Sequence, residues 1–301
     1  MFLLIGFSHG LSEESLSIGF WNVENLFDME NDPNKNDDEF AVGGRKNVTP
    51  EIYNLKIKQS AEVLKDLNVD VIGLCEVENK KVLNDLDISD DYLFAGRDEI
   101  DFMNLDNISR YFSEHEVDVI INCSAFTNVD QAEQDEHLAN QLNHYALKRL
   151  AYISKRKQIK LIHISTDYVF DGREQRPYEE DDETRPLNNY GKSKRAGELA
   201  ILKSLPCNGI IIRTSSLYSE FGDNFVKKIL RLGSLESELN IVADQYSSPT
   251  YCSDLARIII FIINKDIFQK FNNQTQIYHY SNKGCVSWYD FTKKIFELAE
   301  V

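Results

Sequence analysis

The sequence predicts an α/β chain built on a doubly wound, mostly parallel sheet, and three observations carry that expectation. Two short apolar runs, Val117 to Asn122 and Lys160 to Ser165, have the length and branched content of strands buried on both faces. A helical pattern from about Glu136 to Lys155 lies between them, which is the alternating order of a parallel sheet. The second run ends in Ser165-Thr-Asp-Tyr-Val-Phe-Asp-Gly172, and the carboxyl end of a strand is where open α/β sheets present groups to ligands.

Taken from the amino end, Met1-Phe-Leu-Leu-Ile-Gly-Phe7 is a short apolar run without preceding basic residues. It is too short for a membrane-spanning helix and reads as the remnant of a signal peptide. Gly6-Phe-Ser-His-Gly10 fits the G-x-S-x-G spacing, but a nucleophile elbow needs a complete hydrolase sheet around it, so the match is set aside. Strands are expected over Ile18 to Asp28 and Val71 to Glu76, with a helix from about Tyr53 to Leu67 before the second. Asn31 to Asn36 reads as a flexible loop, because it lacks the glycine and terminal Glu of a calcium loop.

The strongest chemical signal is Tyr190-Gly-Lys-Ser-Lys194. Tyr and Lys at i, i+4 share one helix face, so the ammonium is expected beside the phenol, lowering the Tyr pKa and making Tyr190 a general acid. Thr166, at the preceding strand end, adds a second donor for the same carbonyl oxygen. His163, inside the apolar strand, reads as a satisfied core residue. The acidic run Glu179 to Glu183 reads as a solvated loop leading to Pro186.

These segments, with Arg97-Asp-Glu-Ile-Asp101, Val117 to Glu133, Arg213-Thr-Ser, Asp244-Gln-Tyr-Ser-Ser-Pro-Thr250 and Tyr278-His-Tyr-Ser-Asn, resemble the extended short-chain dehydrogenase/reductase superfamily. Within it the likeness is to the dTDP-4-dehydrorhamnose reductases, over roughly residues 94 to 299. The resemblance implies a Rossmann-like fold, NADPH or NADH as cofactor, and reduction of the C4 ketone of a dTDP-6-deoxy-hexulose to give dTDP-L-rhamnose. It implies Tyr190 as proton donor, Lys194 as the group that holds the nicotinamide ribose, and Thr166 as partner of the reacting oxygen. Asp101, at the expected end of a strand, would meet the adenosine ribose, and Ala125, Phe126 and Thr127 would lie along the cofactor. Asp167 would reach the sugar. Ser216 stands where the family usually carries Trp, which alters the expected sugar packing.

Two parts of the family pattern are missing. The family opens with a strand and a Gly-x-x-Gly-x-x-Gly turn about thirty residues ahead of the Asp101 motif, so that backbone N–H groups meet the pyrophosphate. That window here holds Asn68 to Asn79, with one glycine, Gly73, followed by acidic residues. Val71 to Cys75 would fit the lost strand's place in the sheet but not its phosphate turn. The chain also stops at Val301, soon after Ser287-Trp-Tyr-Asp-Phe291, where the family continues.

Residues 1 to about 90 resemble instead the opening of the endonuclease/exonuclease/phosphatase superfamily, in Ile18-Gly-Phe-Trp-Asn-Val-Glu-Asn-Leu-Phe-Asp28 and the strand ending at Glu76. That resemblance implies Asn22 and Glu76 as oxygen ligands of Mg²⁺. The expected organisation is 1–90 nuclease-like, 91–204 dinucleotide-binding and catalytic, and 205–301 mainly sugar-nucleotide-binding, with a junction near 87 to 94. Three readings remain open: a reductase, a hybrid that binds no cofactor, and a Mg²⁺-dependent phosphodiesterase.

Composition bounds the partners. A net charge of −16 disfavours nucleic acid and anionic membrane surfaces. Five cysteines, odd in number and without CxxC spacing, suit reduced thiols in the cytoplasm. A homodimer and a dTDP-sugar substrate complete the expectations.

Overall fold

The computed structural model describes residues 3–6, 18–26, 49–51, 54, 71–77, 92–95, 99–219, 224–270 and 274–299, with backbone alone for the strands up to residue 94. The elements that position the site are β4 (Tyr92–Ala95), α1 (Leu105–Glu114), β5 (Val119–Asn122), α2 (Val129–Gln134), α3 (Glu136–Asn140), α4 (Ala146–Lys157), β6 (Lys160–Thr166), α5 (Asn189–Ser204) and β7 (Gly209–Thr214). They follow β1 (Leu3–Gly6), β2 (Ile18–Leu26) and β3 (Val71–Val77).

Beyond them come β8 (Leu217–Tyr218), α6 (Phe225–Leu235), β9 (Tyr246–Ser247) and β10 (Thr250–Tyr251). The chain then forms α7 (Cys252–Asn264), α8 (Ile267–Lys270), β11 (Gln276–His279), β12 (Val286–Ser287) and α9 (Trp288–Ala299).

The main sheet has the order β11-β7-β6-β5-β1-β4. From β5 to β11 the strands run parallel, with Ile121 opposite Ile162 and Ile162 opposite Ile210. Alternate residues face opposite sides, so each of these apolar strands feeds two cores. Ile120, Leu161 and Ile211 join Ile108, Phe112, Leu147, Leu150 and Ile201 under α1, α4 and α5. Ile121, Ile162, Ile210 and Ile212 join Leu255, Ile259, Ile262 and Phe268 under α7 and α8. Covering of both faces is what permits continuous apolar strands, and it produces the doubly wound α/β architecture expected from the sequence.

The slot between β5 and β4 departs from expectation. It is filled by β1, not by Val71 to Cys75, and β1 runs antiparallel to both neighbours: Leu3 pairs with Asn122 and Ala95, Gly6 with Val119 and Tyr92. An antiparallel strand satisfies both ladders without a crossover connection. The expected occupant, β3, is instead paired in parallel with β2 in a separate two-stranded sheet, with Asn22 opposite Cys75. The side chains of Asn22 and Glu76 lie outside the described residues, as does the helix expected from Tyr53 apart from Asn54, which is helical. Among the described residues no group of His, Cys, Asp and Glu is placed to hold a metal ion.

Candidate active site

The carboxyl edge of the parallel strands collects the chemistry. After β5 the chain passes through Cys123 to Asn128, and Asn128 caps α2 by accepting from Gln131 N–H at 3.0 Å. Asn143, fully buried in a π-helical turn over Gln141–Tyr145, accepts from Phe126 N–H at 2.8 Å and donates to Phe126 C=O at 3.1 Å. Its Nδ2 also reaches Ser193 Oγ on α5 at 2.9 Å. One amide thus fixes the Ala125-Phe126-Thr127 segment to the helix that carries Tyr190 and Lys194. The wide turn has a purpose here, since π-turns inside helices recur where a side chain must be redirected.

β6 delivers Thr166, whose Oγ1 accepts from Tyr168 N–H and donates to Asp167 Oδ1, both at 3.2 Å. A single 3₁₀ turn, Asp167–Val169, then packs against α5. Gly191 makes that approach feasible, because a Cβ there would stand 2.2 Å from the Tyr168 carbonyl oxygen. Asn188 caps α5, accepting from Gly191 N–H at 2.7 Å. The buried stripe Tyr190, Ser193, Lys194, Gly197, Glu198 and Ile201 follows the helical period and faces the sheet.

The structure brings Thr166 and Tyr190 to the same strand end, with Lys194 one helical turn along α5. Tyr190 is buried on the face of α5 that meets the end of β6, where Thr166 stands, and its ring meets Tyr168 edge-on at 5.6 Å. Burial pushes the Tyr190 phenol up to about 12, with Asp167 and Tyr168 adding to the rise and the Thr166 bond opposing it. The lowering expected from a neighbouring ammonium is therefore not what the folded chain gives. Lys194 is turned away along β6: its Nζ donates to Ile164 C=O at 2.7 Å and lies 3.2 Å from His163 Nε2. Burial lowers Lys194 to about 8, against the attraction of Glu198. Asp167, also buried, is raised to about 6.

The structure adds local detail at three of the expected residues. Asp101 lies past the end of β4, in the turn before α1, where its carboxylate accepts Met103 N–H at 2.8 Å. Ile100 and Phe102, on either side of it, are buried in the core. His163 is a buried core residue, yet it is bonded to Lys194 and, through Nδ1, to the Asn122 amide at 3.0 Å. Ser216 stands at a left-handed position, φ 47°, with its hydroxyl 2.7 Å from Ser247 Oγ, so it ties β8 to β9.

Sequence reasoning missed the clamp behind the site. Glu198 accepts from Ser165 Oγ at 2.7 Å, from Arg195 at 2.9 Å and from both Nε and Nη2 of Arg213 at 2.9 Å. Arg213 also lies over Phe170 and donates to Glu180 C=O, drawing the 178–182 loop onto the sheet end. The signal was present, since Glu198 follows Lys194 by four residues and so shares its buried face. Asn143 had no such signal. Among the described residues, Cys123, Cys207, Cys252 and Cys285 are free thiols.

Comparison with known proteins places this geometry. The RmlD substrate binding domain model matches residues 80–301, and an endonuclease/exonuclease/phosphatase family model matches 17–102, so the two overlap across the expected junction. A dTDP-4-dehydrorhamnose reductase of Aggregatibacter actinomycetemcomitans is 42% identical over 67% of this chain and 68% of its own length. A dTDP-4-keto-6-deoxy-D-glucose reductase of Streptomyces niveus is 36% identical over 67% of this chain and 68% of its own. The crystal structure of the dTDP-4-dehydrorhamnose reductase of Bacillus anthracis in complex with NADP superposes with a TM-score of 0.63 at 36% identity, covering 81% of this chain and 77% of that one. From residue 80 onward, the chain belongs to the dTDP-4-dehydrorhamnose reductase family.

Proposed function

We propose that the chain is a nicotinamide-dependent reductase that converts the C4 ketone of dTDP-4-dehydro-6-deoxy-L-mannose to the alcohol of dTDP-L-rhamnose, a precursor of cell-surface polysaccharide. The observation that carries this reading is the meeting of the Thr166 hydroxyl and the Tyr190 phenol at the carboxyl end of β6, one helical turn from Lys194. Two hydroxyls converging there suit a ketone oxygen that becomes an alkoxide. With a pKa raised to about 12, Tyr190 stays protonated at neutral pH and arrives as the acid. An alkoxide is more basic still, so transfer of the phenol proton to it runs downhill. Asp167 and Ser216 are assigned to the sugar, and the Ala125-Phe126-Thr127 segment and Asp101 to the dinucleotide.

The residues fit the nicotinamide half of such a cofactor. Thr166 and Tyr190 present hydroxyls at the strand end, and Lys194, one helical turn along α5, has an Nζ that now donates to Ile164 C=O and would offer its donors to ribose hydroxyls if turned toward them. The cofactor, NADPH or NADH, would supply the hydride that reduces C4. The pyrophosphate half does not fit as well. β1 leaves its slot at Gly6, beside Val119, the amino end of the parallel strands, and the one glycine of the Asn68 to Asn79 window, Gly73, lies in β3 of the separate two-stranded sheet. That observation favours a second reading, a family member that binds no dinucleotide.

The reading includes a dTDP-sugar as small-molecule partner, a homodimer and a cytoplasmic location; among the described residues no helix is long and apolar enough to cross a membrane. The division into 1–90, 91–204 and 205–301 is proposed with it. Titration calorimetry with NADPH and NADH separates the two readings: micromolar binding supports the reductase, and no binding supports the second. Given binding, NADPH oxidation with the dTDP-ketosugar should fall by roughly 10²–10⁴ in Tyr190→Phe, as expected when a positioned general acid is removed. Unchanged turnover in that variant sinks the assignment of Tyr190.

A further inference from the structure

Asn122, His163 and Lys194 form a chain of three buried polar side chains on β5, β6 and α5. Asn122 Oδ1 accepts Ser124 N–H at 3.1 Å, so the other end of the amide, the donor Nδ2, is the one that faces His163 Nδ1 at 3.0 Å. An NH₂ group meets a ring nitrogen only as donor to acceptor, which leaves Nδ1 unprotonated and puts the single ring proton on Nε2. His163 Nε2 is in turn 3.2 Å from Lys194 Nζ, whose other partner is the Ile164 carbonyl at 2.7 Å. An Nε2–H and an ammonium would oppose donor to donor; an Nε2–H and a free amine make a hydrogen bond.

We propose that Asn122 and His163 are positioning residues that favour the free amine of Lys194 and so weaken its hold on a proton, and that Lys194 regains its full proton affinity only when the His163 Nε2–H contact is given up. The inference rests on the reductase reading for its use, but not for its geometry. Other groups facing Lys194 are Cys123 past the end of β5 and Glu198 on its own helix. Glu198 is already engaged by Arg195, Arg213 and Ser165, so its charge is shared rather than given to Lys194. Facing His163 are Asn122 and Lys194, and burial together with the lysine holds the imidazole well below its usual pKa, consistent with a neutral ring. Charging Lys194 in place requires one proton from solvent and a shift of the ring proton from Nε2 to Nδ1, which sets Nδ1–H against the Asn122 NH₂. The lysine's charge and the asparagine's orientation are therefore coupled, and a ligand that draws Nζ away from His163 releases both.

The test uses the full chain without cofactor, so its outcome is independent of whether NADPH binds. Long-range ¹H–¹⁵N correlation of His163, assigned by its loss in His163→Gln, should show Nε2 protonated and Nδ1 bare above the Lys194 midpoint, at pH 9.5. In lysine-labelled protein the ¹³Cε resonance of Lys194, assigned by its loss in Lys194→Met, should titrate near pH 8. Asn122→Asp replaces the donor at Nδ1 by an acceptor, so the ring proton should move to Nδ1 and the Lys194 midpoint should rise by about one unit or more, a tenfold or larger change in its proton affinity. A proton on Nδ1 in the unsubstituted protein at pH 9.5, or an unmoved Lys194 midpoint in a folded Asn122→Asp variant, overturns the proposal. If the proposal holds and NADPH does not bind, the reductase reading alone fails.

Discussion

At Asp167 a carboxylate sits buried beside the Thr166 hydroxyl, and the balance of burial against its hydrogen bonds leaves its pKa at about 6, up from 3.8. A carboxyl with a raised native pKa binds its proton more tightly in the folded than in the unfolded state. Its contribution therefore favours folding below pH 4 and is lost as pH rises through 6. Two units correspond to about 3 kcal/mol as an upper figure. Asp167→Asn should accordingly stabilise the chain at pH 7.5 by about 1–3 kcal/mol in urea unfolding, with the gain shrinking toward zero at pH 4. A gain independent of pH would mean that Asp167 is solvated. The presence of a carboxylate that costs stability beside Tyr190 is what a site, rather than a core, would retain.

Elements meet in this molecule through two close contacts. The first is the approach of α5 to the strand end, which leaves no room at Gly191 or Gly197; a Cβ at Gly197 would stand 2.1 Å from Asn143 C=O. Gly191→Ala must push the Tyr168 backbone aside, and overpacking of this kind costs typically 1–3 kcal/mol. Because Tyr168 adjoins Thr166 and Asp167, the same variant should lose turnover along with its unfolding midpoint, which paired assays would register; loss of stability alone would show that the turn relaxes without moving Thr166.

The second contact is the Glu198–Arg213 pair, in which the carboxylate is fully buried and the guanidinium nearly so. Removing one partner strands the other charge, so Glu198→Ala should cost about 3–5 kcal/mol. Glu198→Gln, which keeps acceptor and shape, should cost clearly less. Equal losses in thermal or urea denaturation would argue that packing rather than charge holds α5 to β7.

On the scale of the whole molecule, the slot between β5 and the edge strand β4 is taken by a reversed strand from the amino end of the chain. β1 is laddered on both sides, so a proline within it removes a hydrogen bond from the middle of the sheet. Ile5→Pro should therefore destabilise the reductase portion by about 3 kcal/mol or more, read as a lower urea midpoint for the tyrosine and tryptophan fluorescence transition. An unchanged midpoint would mean that the sheet from β5 to β11 folds without that strand. Either way the parallel half, with both faces covered, supplies most of the buried apolar side chains among the described residues.

Much of this was readable in the chain because it is encoded locally. The strands around Ile120 and Ile162 announce themselves by branched apolar runs, and α3 to α4 by a period that continues through residues 136 to 157. Tyr190 and Lys194 share a face because four residues make about one helical turn, and Thr166 ends a strand whose length the sequence shows. What only the tertiary structure decided are matters with no local signature. The direction of β1 depends on ladders to residues about ninety and one hundred and twenty positions away. The Asn143 clamp on Phe126 and Ser193, and the turn of Lys194 toward His163, join residues far apart in sequence whose polar atoms had to find partners once buried. Periodicity fixes which face a residue occupies, but the partner it meets there, and hence the protonation it carries, is set by burial and by the groups that the packed neighbours leave unpaired.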